Sequence, residues 1–329
     1  MAEFGVAELN GIAADPERQV FYLTGKLWPK LFEVRLVPDD SRGTVTPELS
    51  PSPEPSASPS SGPSATPTAA PTRPPAPPER LRVQVLERLP HDSTIYTQGL
   101  LLHEGILYET SGHPSAATGG PVRLSALRAL VPETGEQLRI TELDDRYYGE
   151  GLALLADRLF WITWQDGLAF EFDRDSFERL EVHSYAGEGW GLCSDGHDLF
   201  MSDGSARITR RDPEDFSVLG QVEVRDMGQP VARLNELECV DDLVYANVWK
   251  TDEILRIDRR SGSVLARIDA SGLRPASATN REAVLNGIAW DAASQTFLIT
   301  GKWWDLMYRV RFVPASAAPI YLPLLRQGG

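Results

Sequence analysis

A sequence pattern that recurs five times constrains the fold of this chain more than any other feature. The shared pattern is a small or polar residue, a glycine (Glu236 in the fourth copy), aliphatic residues, a polar turn and a short segment rich in aromatic and β-branched side chains. The copies begin at Thr97, Gly149, Gly189, Leu234 and Leu285. The aligned position holds Gly99, Gly151, Gly191, Glu236 and Gly287. Such repetition indicates a fold built from similar neighbouring units.

The spacing of the copies is typical of four-stranded blades. The aligned positions are 52, 40, 45 and 51 residues apart, which is the length of a propeller blade. Alternating segments such as ILRID, with Gly, Asp and Pro between them, indicate hairpins. Because no segment keeps a helical period, a helical solenoid is the poorer interpretation. We therefore predict an all-β fold, a five-bladed β-propeller.

The fifth copy ends one strand early, after YRVRFVP, and this predicts how the ring closes. The segment ERLRVQVLERLP at 79–90 precedes the first copy and has no partner within it. We predict that a strand at about 81–90 completes the last blade. Closing the ring in this way leaves few sheet edges open.

The chain divides into three predicted regions. Residues 8–38 repeat 284–314, so we interpret 1–38 as a partial duplicate of the last blade, a truncated tandem copy that is marginal by itself. It either docks on the propeller or competes for the closing strand. Residues 39–80 are almost free of large apolar side chains and are predicted to be a disordered linker. Residues 81–329 are the predicted propeller domain.

Composition excludes several classes of protein. The net charge of -15 argues against nucleic-acid binding, and no apolar run is long enough to cross a membrane. The first residues do not have the pattern of an export signal. Cys193 and Cys239 match no metal or redox motif; we expect each to be buried alone, with a disulfide as the alternative. We expect a monomer.

Two sets of equivalent positions predict a pocket at the entrance of the central channel. The residues before the aligned positions are Gln98, Glu150, Trp190, Asn235 and Asn286. The residues at the end of the next strand are Trp164, Trp249 and Lys302. Together they predict indoles, amides, one carboxyl and one ammonium group around a small polar ligand.

Each of these residues also has an ordinary structural explanation. A lone tryptophan is as often a packing residue, a lone asparagine bonds to backbone in turns, and a lone glutamate is usually solvated. Asp203 in MSDGS indicates a turn. None of the five histidines has a zinc-site spacing, and no hydrolase nucleophile motif is present. The combined set is what favours a single asymmetric pocket, without a metal.

An ordered series of motifs runs through the same copies. They are YTQG at 96–99, YGEGL at 148–152, TW at 163–164, GWGL at 189–192, SDGS at 202–205, NELE at 235–238, ANVW at 246–249 and LNGIA to TGKWW at 285–304. This series resembles the plant-type glutaminyl-peptide cyclotransferases, or glutamine cyclotransferases, which also occur in bacteria and are five-bladed propellers. The resemblance covers nearly all of 81–314, whereas 8–38 resembles the last motif alone.

The resemblance implies conversion of the N-terminal glutamine of peptides to pyroglutamate with release of ammonia. It implies Glu150 as the catalytic carboxylate. The other implied pocket residues are Tyr96, Gln98, Trp164, Trp190, Asn235, Trp249 and Lys302. Tyr96 replaces the more usual Phe, and 113–123 departs from the usual spacing, which leaves the peptide preference open. Family members are usually exported, so we expect an extracytoplasmic protein.

The residue types suit this chemistry without a metal or organic cofactor. Glu150 is the hypothesised proton shuttle between the α-amine and the departing amide nitrogen. Gln98, Asn235 and Lys302 are hypothesised to bind the amide or the developing oxyanion, and the tryptophans to hold the substrate bent. The first alternative is a non-catalytic propeller that binds peptides or other ligands. The second is a metal-dependent hydrolase, which would need more channel carboxylates than Glu150.

Overall fold

The computed structural model describes the backbone of 9–15, 20–25 and 32–34, and residues 76–113 and 123–316 in full. Met1–Arg73 and Pro74–Gly329 form two compact units. Every regular element in the described residues is a β-strand, which confirms the all-β prediction. Accordingly, that part of the chain contains no apolar helix of membrane-spanning length. Residues 39–75 of the predicted linker and the segment 114–122 lie outside the described residues.

The first unit contains one small antiparallel sheet. Its strands are β1 (Leu9–Asp15), β2 (Val20–Gly25) and β3 (Phe32–Val34). They pair in the order β1-β2-β3, and they correspond in sequence to three strands of the second unit. The second unit begins with β4 (Glu79–Pro90), which includes the last two residues of the predicted linker.

Five groups of four hydrogen-bonded strands make up most of the described second unit. The first group is β5 (Thr97–His103), β6 (Ile106–Ser111), β7 (Ala126–Leu130) and β8 (Gln137–Glu142). The second is β9 (Gly149–Leu155), β10 (Arg158–Thr163), β11 (Leu168–Asp173) and β12 (Arg179–Ser184). The third is β13 (Leu192–Ser194), β14 (Leu199–Ser202), β15 (Arg207–Arg211) and β16 (Val218–Glu223).

A short hairpin separates the third group from the fourth. It consists of β17 (Arg225–Asp226) and β18 (Gln229–Pro230). The fourth group is β19 (Leu234–Val240), β20 (Leu243–Val248), β21 (Glu253–Asp258) and β22 (Val264–Asp269). The fifth group is β23 (Leu285–Asp291), β24 (Thr296–Gly301), β25 (Leu306–Pro314) and the early strand β4.

β4 joins the two ends of the second unit. It pairs antiparallel with β25 from Pro90–Leu306 to Leu81–Pro314. Its first residues also pair in parallel with β22, so that the fourth and fifth groups form one eight-stranded sheet. The segment predicted to complete the last repeat therefore lies beside its third strand. The five-bladed propeller itself stays a prediction, and its support is given below.

The first strands of the groups lie side by side, and the aligned glycines make this possible. Each first strand contacts the next one along the chain, and β23 contacts β5. A Cβ on Gly99 would lie 2.6 Å from the backbone nitrogen of Leu152, and one on Gly151 would lie 2.5 Å from that of Leu192. Only glycine permits so close an approach. The repeated glycine is therefore a packing requirement.

Glu236, which replaces the glycine of the fourth copy, has a different structural role. Its Oε2 accepts a hydrogen bond from the backbone of Ile288 at 2.9 Å, and its Oε1 accepts one from Leu100 at 3.3 Å. Burial raises the pKa of Glu236 well above its ordinary value. The side chain thus connects β19 to β23 and β5, which the sequence comparison could record only as a deviation from glycine.

Apolar clusters fill the spaces between neighbouring groups. Five clusters are formed by the described residues: four join groups that follow one another in the chain, and the other joins the fifth group to the first. One of them contains Leu100 and Leu107 of the first group with Leu298 and Met307 of the fifth. Removing these side chains from water is the main favourable contribution to folding.

Cys193 and Cys239 form a disulfide bond across β13 and β19. The expectation of two separately buried cysteines is therefore wrong, and the alternative applies. Their Cα atoms are 5.4 Å apart although 46 residues separate them in sequence, a distance within the ordinary range for a disulfide. The spacing gave no signal because the two cysteines meet only when adjacent first strands pack together.

His91 directly follows β4 and fastens it to the first group. Its Nδ1 lies 2.7 Å from the carbonyl oxygen of Trp304, and its Nε2 lies 2.9 Å from Oε1 of Glu109. Glu109 Oε1 also accepts a 2.6 Å hydrogen bond from Thr97. Burial lowers the pKa of His91, but the charge of Glu109 and these hydrogen bonds outweigh it and raise the pKa above its ordinary value. Protonation would let both ring nitrogens donate to these two acceptors, and the raised pKa favours that state.

We expect His91→Gln to lower the free energy of unfolding by about 3 kcal/mol near pH 6, because it leaves Glu109 buried without its cation. The folded protein holds the His91 proton more tightly than the unfolded chain does. The contribution is therefore complete below the unfolded pKa of about 6.5 and is lost as pH rises through the higher folded pKa. Urea unfolding of both proteins across this range measures it. The exposed His197→Gln is the control, and a pH-independent difference would contradict the assignment.

Candidate active site

A cavity of about 570 Å³ opens beside the first strands, and it brings the sequence-predicted residues together. Its size is ordinary for a small-molecule site. All eight predicted site residues line it: Tyr96, Gln98, Glu150, Trp164, Trp190, Asn235, Trp249 and Lys302. The further lining residues are His113, Asp145, Arg146, Tyr147, Tyr148, Gln165, Asp166 and Glu282.

The repeats explain why these side chains converge. Gln98, Glu150 and Asn235 are each the second residue of the first strand of their group. The residues that directly follow the second strands β10, β20 and β24 are Trp164, Trp249 and Lys302. Equivalent positions in neighbouring groups face the same end of the assembly, so residues far apart in sequence share one cavity.

Glu150 is buried at the base of this cavity. Its Oε1 accepts a 2.8 Å hydrogen bond from Nε2 of Gln98, which also lies 3.4 Å from the hydroxyl of Tyr148. Burial raises the pKa of Glu150 well above its ordinary value; Lys302 opposes this rise and Glu188 adds to it. A raised pKa favours a carboxyl group that takes up and gives back a proton during a reaction.

Lys302 brings a buried cation close to Glu150. Its Nζ lies 4.5 Å from the ring centroid of Tyr96, a cation–π distance. Burial lowers the pKa of Lys302 to about 8, although Glu150 and Glu282 act in the opposite direction. Burial likewise raises the pKa of Tyr96, so its hydroxyl stays protonated. The cavity thus contains two titratable groups whose pKa values have moved towards each other.

The carboxamide groups form a chain behind Glu150. Asn235 Nδ2 donates to Oδ1 of Asn286 at 2.8 Å, and Asn286 Nδ2 donates to the carbonyl oxygen of Thr97 at 2.9 Å. Asn286 Nδ2 also lies 3.4 Å from Oε1 of Gln98. Asn286 does not line the cavity; it holds the two amides that do.

Aromatic rings make the opposite wall. The rings of Tyr148 and Trp164 meet edge to face at 5.6 Å, and those of Trp190 and Trp249 at 5.4 Å. Glu188 Oε2 accepts hydrogen bonds from Nε1 of Trp164 at 2.8 Å and of Trp190 at 2.9 Å. Trp164 is 36% exposed, which excludes a role confined to interior packing.

Sequence reasoning missed several residues of this site. Tyr148 stands two residues before Glu150 within the motif YGEGL, so the motif contained the signal. Glu188 lies two residues before Trp190, at the position that Tyr96 and Tyr148 hold in the first two copies. Glu282 lies in the segment that precedes β23, outside the aligned positions. Asp203 does not line the cavity, and its Oδ1 accepts a hydrogen bond from the backbone of Ser205 at 2.9 Å, as expected for a turn.

One group of possible metal-binding side chains occurs among the described residues, and it lies outside the cavity. It consists of Glu171, Glu181 and His183 on β11 and β12. Glu171 lies 3.2 Å from His183 Nε2 and 3.5 Å from Arg158 Nη1. The buried Glu171 therefore has an ion pair with Arg158 and a hydrogen bond with His183.

Comparisons with known proteins agree with one another. A family model described as glutamine cyclotransferase matches residues 4–36 and 60–312. A glutaminyl-peptide cyclotransferase of Arabidopsis thaliana is 36% identical over 240 residues, which cover 71% of this chain and 72% of that protein. The crystal structure of Myxococcus xanthus glutaminyl cyclase has a TM-score of 0.66 and 37% identity, and the match covers 71% of this chain and 98% of that one.

Proposed function

Because the chain belongs to the glutamine cyclotransferase family, we propose that it converts the N-terminal glutamine of peptides to pyroglutamate and releases ammonia. One observation carries the proposal. Glu150, a buried carboxyl with a raised pKa, lies between Gln98 and Lys302 in a cavity with an aromatic wall. That combination suits proton transfer to and from a small polar group.

The proposed fold is a five-bladed propeller with β4 as the closing strand. The five four-stranded groups would be its blades. The cyclic contacts of the first strands and the apolar clusters between successive groups support this arrangement. The antiparallel pairing of β4 with β25 supports the closure. A propeller would place the cavity at the channel entrance.

The proposed reaction needs proton transfers at two neighbouring nitrogens. The substrate's α-ammonium gives a proton to Glu150, and the freed amine attacks the side-chain amide carbon. A new carbon–nitrogen bond forms, and the negative charge develops on the amide oxygen. Glu150 then returns the proton to the amide nitrogen, the oxyanion collapses to a carbonyl as the old carbon–nitrogen bond breaks, and ammonia leaves. The new ring nitrogen still carries one extra proton, which it gives to the freed Glu150 carboxylate and so to the ammonia, and the products are a neutral lactam and ammonium. Atoms and charge balance without an added reactant.

The neighbouring groups have distinct proposed roles. Gln98 uses its amide nitrogen on Glu150, so it orients the shuttle. Lys302 and the second amide N–H of Gln98 and of Asn235 are proposed to bind the substrate's amide and the developing oxyanion. The other N–H of Asn235 donates to Asn286. The indoles of Trp164, Trp190 and Trp249 hold the five-atom chain bent, which supplies the proximity that an intramolecular attack requires.

No step of this proposal uses a metal ion or an organic cofactor. The proposed partners are peptides with an N-terminal glutamine, and the proposed state is a monomer. We also propose an extracytoplasmic location, which the disulfide between Cys193 and Cys239 supports, since disulfides persist in oxidising compartments. The alternative of a non-catalytic binding propeller is less favoured, because a ligand-binding wall gives no reason to bury Glu150 beside Lys302.

Ammonia release from a dipeptide with an N-terminal glutamine tests the proposal. We expect steady release that a chelator does not reduce. We expect none from the same dipeptide with an acetylated α-amine, because the nucleophile is then blocked. Release that stops on chelation would refute the metal-free mechanism. Equal release from the acetylated dipeptide would refute cyclisation.

A further inference from the structure

The proposed reaction gives no role to Glu188, although this residue contacts the aromatic wall of the cavity. Its Oε2 accepts the indole N–H groups of Trp164 and Trp190, and its Oε1 accepts a 3.1 Å hydrogen bond from Nε2 of Gln165. Three donors from two separate loops thus end on a single carboxylate. Hydrogen bonds to an ionised acceptor are stronger than neutral ones.

The indoles that Glu188 holds belong to two otherwise separate parts of the aromatic wall. Trp164 packs on Tyr148, and Trp190 packs on Trp249. An indole N–H can only donate, and a single oxygen that accepts both N–H groups fixes the rings relative to each other. The wall on which the substrate lies is therefore one connected surface.

We propose that Glu188 is a positioning residue that locks Trp164 and Trp190 into one substrate-binding wall and places a negative charge near Glu150. The inference rests on the proposed cyclotransferase activity. Glu188 acts through the indoles and through its electric field.

The charges around Glu150 support the second part of this proposal, namely that the charge of Glu188 acts on Glu150. Lys302 and Glu188 are the charged groups that act on it, and the hydroxyls of Tyr96 and Tyr148 face the same space. Burial raises the pKa of Glu150 most, and Glu188 raises it further. Burial would also raise the pKa of Glu188, but its hydrogen bonds from Trp190, Gln165 and Trp164 hold that pKa below its ordinary value. Glu188 therefore remains charged when Glu150 takes up a proton.

Two substitutions separate the two effects. Glu188→Gln keeps an oxygen acceptor for the indoles and removes the charge, whereas Glu188→Ala removes both. We expect the acid limb of kcat/KM to move to lower pH in both variants, because Glu150 then binds its proton less tightly. We expect Glu188→Ala also to raise KM roughly ten-fold while kcat falls less, because the wall loses two charge-assisted hydrogen bonds. Glu178→Gln and Glu178→Ala remove an exposed carboxylate outside the cavity. These two control variants should change neither the acid limb of kcat/KM nor KM.

Indole N–H signals in NMR spectra provide a test that does not depend on activity. We expect two of the eight tryptophan signals to move in Glu188→Ala and to stay in place in both Glu178 variants. Inactive wild-type protein would refute the proposed function and leave this readout intact. An acid limb and a KM equal to those of wild type in Glu188→Ala, or indole signals that do not move, would overturn the role of Glu188.

Discussion

Glu150→Gln is expected to lower kcat by about a thousand-fold and to leave the fold intact. The substitution preserves the shape of the side chain and an oxygen that still accepts the hydrogen bond from Gln98. It removes the group that takes the proton from the α-ammonium and returns it to the leaving nitrogen. General acid–base catalysis contributes about 10² to 10⁴ in rate, and here one residue performs both transfers. Initial rates of ammonia release measure the loss.

A matched control distinguishes chemistry from stability. Glu178→Gln makes the same change at an exposed turn position and should retain wild-type kcat. Circular dichroism and the urea midpoint should show Glu150→Gln folded, and its stability should not fall because it no longer buries an ionisable group. If the folded Glu150→Gln enzyme keeps more than about a tenth of wild-type kcat, Glu150 does not perform general acid–base catalysis, which contributes about 10² to 10⁴ in rate.

Deletion of β4 is expected to prevent folding of the second unit. A chain that begins at Asp92 lacks the antiparallel pairing of β4 with β25 and the parallel pairing of β4 with β22. It also loses the buried side chains of Leu81 and Leu89 and the ion pair of His91 with Glu109. Together these losses are comparable to the total stability of a domain, about 5–15 kcal/mol. We expect no cooperative unfolding transition.

The comparison chain begins at residue 76 and keeps β4. It should unfold in one cooperative transition and retain activity, because the first unit ends at Arg73. A separate peptide of residues 76–91, added to the shorter chain, should restore part of the fold. If the chain from Asp92 unfolds at the same urea concentration as the chain from 76, β4 does not close the structure.

The residues that converge at the cavity were predictable because they occupy equivalent repeat positions. Gln98, Glu150 and Asn235 share one strand position, and a repeat fixes backbone register from group to group. Asn286 holds the same position, yet it lies behind the cavity. The repeat therefore predicts where the backbone places a side chain. It does not predict which neighbouring group that side chain will hydrogen-bond.

Contacts between loops could not be predicted in this way. Trp164 and Glu188 each occupy a repeat position, but their contact depends on how two loops approach each other, which the repeat does not specify. The disulfide of Cys193 with Cys239 was hidden because it joins strands β13 and β19, which meet only when neighbouring first strands pack together. The role of Glu236 was also hidden, since a buried carboxylate in place of glycine reads as a mismatch until its two backbone donors are seen.

The mass of the product tests the central claim most directly. Ammonia alone does not separate cyclisation from hydrolysis of the glutamine side chain, which releases ammonia as well. The wild-type protein should therefore act on a dipeptide with an N-terminal glutamine in water labelled with heavy oxygen. Our account predicts a product that is lighter by one ammonia and carries no label. A labelled glutamyl product, or an unchanged peptide in the presence of folded protein, would contradict it.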